Sequence, residues 1–403
     1  MKNVYIFTIA LSFSLFFGAS AQHTWTPKAD LPNANLGRHH PVSWGIGDYG
    51  YVVTGTTSQL GTTNDFFRYD PSTDSWSVMD NFPGLRRSFS IGDVYNGEGY
   101  LGFGFSQTGN TVLNDLWKYN PTTDTWTQLA SCPCQGRRHP VFSINQNNGK
   151  LYVGLGDNLQ MNLRDWWVYD IDTDTWAELE TFPGSRRHHP FHFAIGDYVF
   201  AGLGHGTLIY DDFYRYNPVD SSWNTAALSP DVRAAGTEFS YNGYGFVLSG
   251  DAQNHLPTNP SIFWRYNPDN DTWSSMPPHP GFSRWAPGSF IVNGTLYFFA
   301  GQDGGSQNLV GSMFSFELES YLNTEQLTAD MPFTIYPNPS KGVISIDTDA
   351  AFTRVKLVDK TGKTITDMPF SKHLDFGSVA KGLYMLQLTT PNGEVVVHKL
   401  VIQ

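Results

Sequence analysis

One eight-residue pattern returns five times along this chain. Tyr69-Asp70-Pro71-Ser72-Thr73-Asp74-Ser75-Trp76 is followed by Tyr119-Asn120-Pro121-Thr122-Thr123-Asp124-Thr125-Trp126, and related segments end at Trp176, Trp223 and Trp273. With Trp25 included, the steps between these tryptophans are 51, 50, 50, 47 and 50 residues. A repeat of this length is a single supersecondary unit that buries its apolar face by stacking on copies of itself. The chain is therefore a linear or radial array.

Each unit reads as four short strands. The first follows an arginine, as in Arg186-Arg187-His188-His189-Pro190-Phe191-His192-Phe193. A tight turn comes next, at Asn96-Gly97, Asn148-Gly149, Asn242-Gly243, Asn293-Gly294, Gly47-Asp48 and Gly196-Asp197. Asn-Gly suits a type I′ hairpin, whose two central residues need positive φ. The second strand ends in Gly55, Gly104, Gly156, Gly204, Gly250 or Gly301. The third is aromatic, as in Asp115-Leu116-Trp117-Lys118-Tyr119, and an Asx/Pro turn leads to the fourth, which carries the tryptophan. Arginine-led starts fall near Arg38, Arg86, Arg137, Arg186, Arg233 and Arg284. The sixth unit lacks a fourth strand after Phe314-Ser315-Phe316, and Trp25 offers a spare one at the other end of the sequence. The spacing predicts an all-β fold over 22–318: a six-bladed β-propeller closed by the N-terminal strand.

The Tyr-(Asp/Asn)-Pro-x-x-Asp-x-Trp segments and the glycine ending each second strand resemble the Kelch family, over roughly three quarters of the chain. The usual second glycine is replaced here by Thr56, Phe105, Asp157, His205, Asp251 and Gln302.

The two ends of the chain differ from the array. Residues 1–21 have Lys2, an apolar stretch from Val4 to Phe17 and Ala19-Ser20-Ala21, the pattern of a secretory signal peptide cut between Ala21 and Gln22. No later stretch is long and apolar enough to span a bilayer, so no membrane span is expected in the mature chain. All 12 tryptophans lie between Trp25 and Trp285. Residues 22–331 hold 13 Arg and 3 Lys, whereas residues 332–403 hold 1 Arg and 7 Lys. Residues 319–331, polar and without alternation, read as a linker. Residues 332–403 show alternating runs at Val343–Asp347, Arg354–Asp359, Gly382–Leu388 and Val395–Ile402, with turns at Thr361-Gly362 and Asn392-Gly393, and predict a small Ig-like β-sandwich. Tyr336-Pro337-Asn338-Pro339, Gly342, Gly382-Leu383-Tyr384 and Lys399-Leu400-Val401-Ile402 resemble the type A C-terminal sorting domain of type IX secretion cargo. That resemblance implies the type IX machinery as a partner of 332–403. It also implies export across a Gram-negative outer membrane, to the medium or the cell surface.

A net charge of −12 argues against nucleic acid as a partner. Nine of the 16 basic residues of 22–331 sit at the first-strand starts. They are Arg38, Arg86, Arg87, Arg137, Arg138, Arg186, Arg187, Arg233 and Arg284. Together with His40, His189, His205, Asp157 and Asp251 they define a candidate ligand-binding face. Guanidinium forks match carboxylates, so the expected ligand is an acidic sugar, a glycan or a surface protein. In the opposing reading each arginine pairs with an aspartate and staples the repeats together, which gives a structural surface protein. His205, Asp157, Asp251, His39/His40 and His188/His189 carry metal-ligating atoms, but no stretch has strong metal-ligand spacing, so no metal and no cofactor is expected. A copper radical oxidase of the galactose oxidase type needs a Tyr–Cys cross-link, and the only cysteines are Cys132 and Cys134 in one loop. They are either bridged or free thiols. The array is also similar to the bacterial sialic-acid mutarotases of the Kelch superfamily, which implies an acid/base group at an anomeric centre. Glu238, read as the one acid inside a first strand, is the candidate, with His188, His189 and His205 as alternative proton carriers. The repeated Asp74, Asp124, Asp174, Asp220 and Asp271 read as caps of their turns rather than calcium ligands.

Overall fold

The computed structural model describes residues 24–32, 37–322, 333–348, 350–359, 363–389, 391 and 395–403. The expected signal peptide and its Ala21/Gln22 cut lie outside these residues, as do most of the expected linker and the turns at 361–362 and 392–393. The chain divides into two compact units, Met1–Glu317 and Leu318–Gln403. Of the expected linker, residues 319–322 belong to a helical turn that spans 318–322.

The first unit contains six four-stranded antiparallel sheets. Their first strands are Val42–Ile46, Ile91–Tyr95, Val141–Asn145, Phe191–Ile195, Thr237–Tyr241 and Gly288–Val292. Five sheets follow chain order. In the sixth, the outer strand Thr26–Lys28 comes from the N-terminal end and pairs with Met313–Glu317. First strands of consecutive sheets touch, and Gly288–Val292 touches Val42–Ile46. Asn96-Gly97, Asn242-Gly243 and Asn293-Gly294 have the paired positive φ that a type I′ turn requires. Asn148-Gly149 differs: it closes a longer loop between Asn145 and Lys150, because Asn145 takes the Gly149 amide on its carbonyl.

The repeated glycine is explained by its backbone. Gly55, Gly104, Gly156, Gly204, Gly250 and Gly301 all have φ between 85° and 106°. Each donates its amide to the carbonyl of the next unit's arginine: Gly55 to Arg87, Gly104 to Arg137, Gly156 to Arg187, Gly204 to Arg233 and Gly250 to Arg284. Gly301 donates to Arg38 at 2.7 Å, so the series returns to the first unit.

Four of the five turn aspartates, all but Asp220, do something other than the expected capping. The cap is made by the Asx residue after the repeat tyrosine, as where Asp70 accepts from Ser72 N at 2.9 Å and Asn120 from Thr122 N at 2.9 Å. In three units the later aspartate binds across sheets instead. Asp174 accepts the Tyr169 hydroxyl at 2.6 Å and the Ala130 amide at 2.8 Å, while Trp176 Nε1 donates to Ala130 O at 2.7 Å. Asp74 with Trp76 holds Ala29 in the same way, and Asp271 with Trp273 holds Ala227. Asp220 caps its own turn as expected, accepting from the Ser222 amide and hydroxyl, and Asp124 accepts the Tyr119 hydroxyl of its own sheet at 2.8 Å.

Cys132 and Cys134 are joined by a disulfide and buried. The second unit has a three-stranded and a four-stranded antiparallel sheet. Their alternating residues, among them Ile344, Ile346, Val355, Leu357, Leu386, Leu388 and Leu400, form one apolar core.

Candidate functional site

The arginine repeat resolves first. Arg38, Arg87, Arg137, Arg187, Arg233 and Arg284 are all buried. Arg87 donates to both oxygens of Asp115 at 2.6 Å, and Arg137 to both oxygens of Asp165 at 2.7 Å. Arg38 pairs with Asp65 and Arg187 with Asp212 in the same bidentate way. Arg233 meets Asp231 at 2.5 Å, and Arg284 binds Ser312 O and Oγ at 2.9 Å. Each also donates to a carbonyl at the positive-φ bend that ends the second strand: Thr54, Phe103, Leu155, Leu203, Gly250 and Ala300. The expectation that these six guanidiniums face a ligand is therefore corrected. A bend with positive φ turns a carbonyl inward, and a buried arginine satisfies it together with a carboxylate. Arg86 and Arg186 are exposed, and half-buried Arg138 is held by buried Asp157 at 2.7 Å.

The remaining predicted residues fall into two groups. The first lies beside the bends. His188 Nδ1 donates to Asn162 Oδ1 at 2.8 Å, and its ring lies 5.0 Å from that of His205. The His205 and His255 rings are 4.5 Å apart, and His255 Nδ1 is 3.6 Å from Asp251 Oδ2. Thus Asp157, His205 and Asp251 sit beside the first-strand starts: His205↔His188, Asp157↔Arg138 and Asp251↔Ala234 are β-bridge partners.

The second group surrounds a cavity of about 290 Å³ enclosed by the six first strands. His40, His139 and His189 line it where the strands begin, and exposed Gln146 and Ser240 line it further along. Between them are Glu238, His192, Asp93, Ser43, Thr237 and Ser289. The second residues of the six strands are Ser43, Gly92, Phe142, His192, Glu238 and Ser289. His192 and Glu238 occupy this position on neighbouring strands, and His192 Nε2 lies 3.1 Å from Glu238 Oε1. Burial pushes the Glu238 carboxyl well above its ordinary range, and the nearby charge of Asp93 adds to this. Burial lowers His192 to about 3. Burial thus disfavours the charged form of both partners. Asp93 is raised to about 6 by burial, against the opposing effect of amides donated by Ile144 (2.7 Å) and Val94 (2.8 Å). Glu238 is thus in the cavity but is not the one acid inside a first strand, because Ile91–Tyr95 contains Asp93.

Asp93 and His192 were not among the residues singled out from sequence. Aligning the six first strands on the buried arginine, four residues upstream, places His192 level with Glu238. His139 aligns with His40 and His189, two residues after that arginine. Asp93 is one position further along and is found only through the cavity.

Comparisons with known proteins agree with this architecture. The family model of the Attractin/LZTR1 β-propeller matches residues 50–311. The secretion system C-terminal sorting domain matches residues 334–403. The solved structure titled "Structure of YjhT" superposes with a TM-score of 0.56 at 18% identity, covering 71% of this chain and 96% of that one. No curated protein matches the chain. The sorting domain directs type IX export to the cell surface or the extracellular space of a Gram-negative bacterium. Among the described residues no helix is long and apolar enough to cross a membrane.

Proposed function

The chain belongs to the Attractin/LZTR1 β-propeller family, and from that premise we propose an exported six-bladed ring that binds a small hydroxyl-rich ligand in its channel and transfers protons to it. The blade count rests on the six four-stranded sheets, on the outer strand Thr26–Lys28 and on the Gly301–Arg38 hydrogen bond. A signal peptide over 1–21 and an Ig-like fold for 332–403 complete the reading.

One observation carries the function: the buried His192–Glu238 contact, 3.1 Å long, beside a cavity lined by serine and threonine hydroxyls. A cavity of about 290 Å³ is at the small end for ligand sites, which suits a monosaccharide. Five of the six buried arginines are paired with aspartates and Arg284 is held by Ser312 and Ala300 O, so this buried ring offers an acidic sugar no free guanidinium. A neutral sugar fits the channel better.

The chemistry available is anomer interconversion. Glu238, protonated, delivers a proton to the ring oxygen as the bond between that oxygen and the anomeric carbon breaks. The anomeric hydroxyl gives its proton to His192 or Asp93, leaving an open-chain carbonyl. Closure on the other carbonyl face returns both protons. A non-catalytic binding module is the second reading. It is favoured by the exposed apolar residues Leu60, Leu159, Leu208 and Leu256, one in each of four loops after the second strands.

Thermal shift of the full chain against a panel of neutral and acidic monosaccharides tests the binding site. The expected result is stabilisation by a neutral sugar that disappears in Ser240→Trp, which blocks the channel. Stabilisation that survives Ser240→Trp, or appears only with acidic sugars, contradicts it.

A further inference from the structure

The start of the channel carries a feature that the sugar chemistry does not use. Two residues after each buried arginine, the chain passes through a positive-φ residue: His40, Phe89, His139, His189, Ala235 and Ala286, with φ between 46° and 60°. The backbone is the same in all six, so the side chains alone distinguish them. Three of the six are histidine, and one ring nitrogen from each lies within 4.8 Å of the other two.

We propose that His40, His139 and His189 bind one divalent transition-metal ion of the zinc class. Three neutral imidazoles leaving an open fourth position are a known zinc donor set, with Zn–N near 2.0–2.1 Å. Two nitrogens on such a tetrahedron are about 3.3 Å apart. His40 Nε2 and His189 Nε2 are 3.0 Å apart, close to that value without an ion. The rings of His139 and His189 have centroids 3.3 Å apart, and those of His40 and His139 4.4 Å apart, so small ring rotations bring the third nitrogen in.

The surroundings also suit a metal. His39 Nδ1 lies 2.6 Å from His40 Nδ1, so a His40 that ligates through Nε2 has an outer partner for its other nitrogen, the arrangement that orients metal-bound histidines. Phe89 and Trp285 pack against His40 at ring distances of 4.4 and 4.6 Å and restrict how the imidazole turns. The nearest cation, Arg138, is neutralised by Asp157. The cavity borders all three histidines, so the fourth position faces the channel.

The test uses untagged full-length chain, stripped with chelator and measured without sugar. Equilibrium dialysis should show one Zn²⁺ per chain. Co²⁺ should give the intense visible absorption of a tetrahedral nitrogen site. His139→Ala and His189→Ala should each weaken Zn²⁺ binding by more than the roughly 10–100-fold expected of the outer partner change His39→Ala. His205→Ala, with its ring beside His188 and His255, should leave affinity and stoichiometry unchanged. Absence of stoichiometric Zn²⁺ and of the Co²⁺ band in the unaltered chain overturns the proposal, whatever the variants do. Undiminished binding in a folded His139→Ala, or loss in His205→Ala alone, overturns it too. Failure of the sugar reading leaves these outcomes untouched.

Discussion

Arg187→Met should strongly destabilise the propeller unit, although no ligand need ever touch the residue. The guanidinium is fully buried and bound bidentately to Asp212. It also donates to Leu203 O and Ser185 O at 2.9 Å and lies 4.2 Å from the centroid of the Tyr210 ring. Methionine keeps much of the stem volume but leaves a carboxylate and a bend carbonyl without their donor. Breaking a buried pair costs about 3–5 kcal/mol. Asp212 retains 26% side-chain exposure, so water can partly replace the arginine, and the lower end applies. At about 2–4 °C per kcal/mol for a domain of this size, the melting temperature should fall by about 6–12 °C. Differential scanning calorimetry of the full chain reads this directly. Arg186→Ala, one residue away and exposed, is the control and should stay within about 0.5 kcal/mol. Arg187→Met/Asp212→Asn should recover part of the loss. A drop under about 1 kcal/mol, or an equal drop for Arg186→Ala, refutes the view that the arginine repeat is a structural clamp.

Three further outcomes follow from the same contacts. A Cβ at Gly45 would fall on the Ile291 carbonyl, so Gly45→Ala should cost about 1–3 kcal/mol or more in chemical denaturation, by forcing the first and sixth sheets apart. Asp174→Ala removes the acceptor for Tyr169 and Ala130 and should cost roughly 1–3 kcal/mol, whereas Asp220→Ala, which serves only its own exposed turn, should cost less. Asp93 binds its proton more tightly folded (about 6) than unfolded (3.8), so its contribution to stability falls as pH rises between those values. Asp93→Asn should flatten that part of the stability–pH curve, while Glu238, raised in the same direction, keeps a residual slope.

Much of the fold was legible because the repeat writes the same physics several times. Tyr69 with Trp76, and Tyr169 with Trp176, report a strand pair without any long-range information, and a missing last strand together with a spare Trp25 points to a chain that meets its own beginning. The site was harder to read. Arg87 and Arg137 look identical to ligand-binding arginines in sequence. Only the third dimension shows Asp115 and Asp165, each 28 residues away, closing on their forks. Glu238 was visible as an acid among strand residues. Its partner His192 is 46 positions earlier and becomes adjacent only because neighbouring first strands stand side by side. His40, His139 and His189 converge in the same way: equivalent positions of different repeats lie within 4.8 Å of one another, which local spacing cannot reveal.

In the proposed mechanism Glu238 moves protons on a sugar inside the channel. Two-dimensional NMR exchange spectroscopy on the anomers of whichever monosaccharide stabilises the full chain reads that step. The unaltered protein should accelerate interconversion, and Glu238→Gln should lose about 10²–10⁴-fold of that rate while still binding the sugar. Full acceleration by Glu238→Gln, or no acceleration by the unaltered protein of a sugar it demonstrably binds, would contradict it.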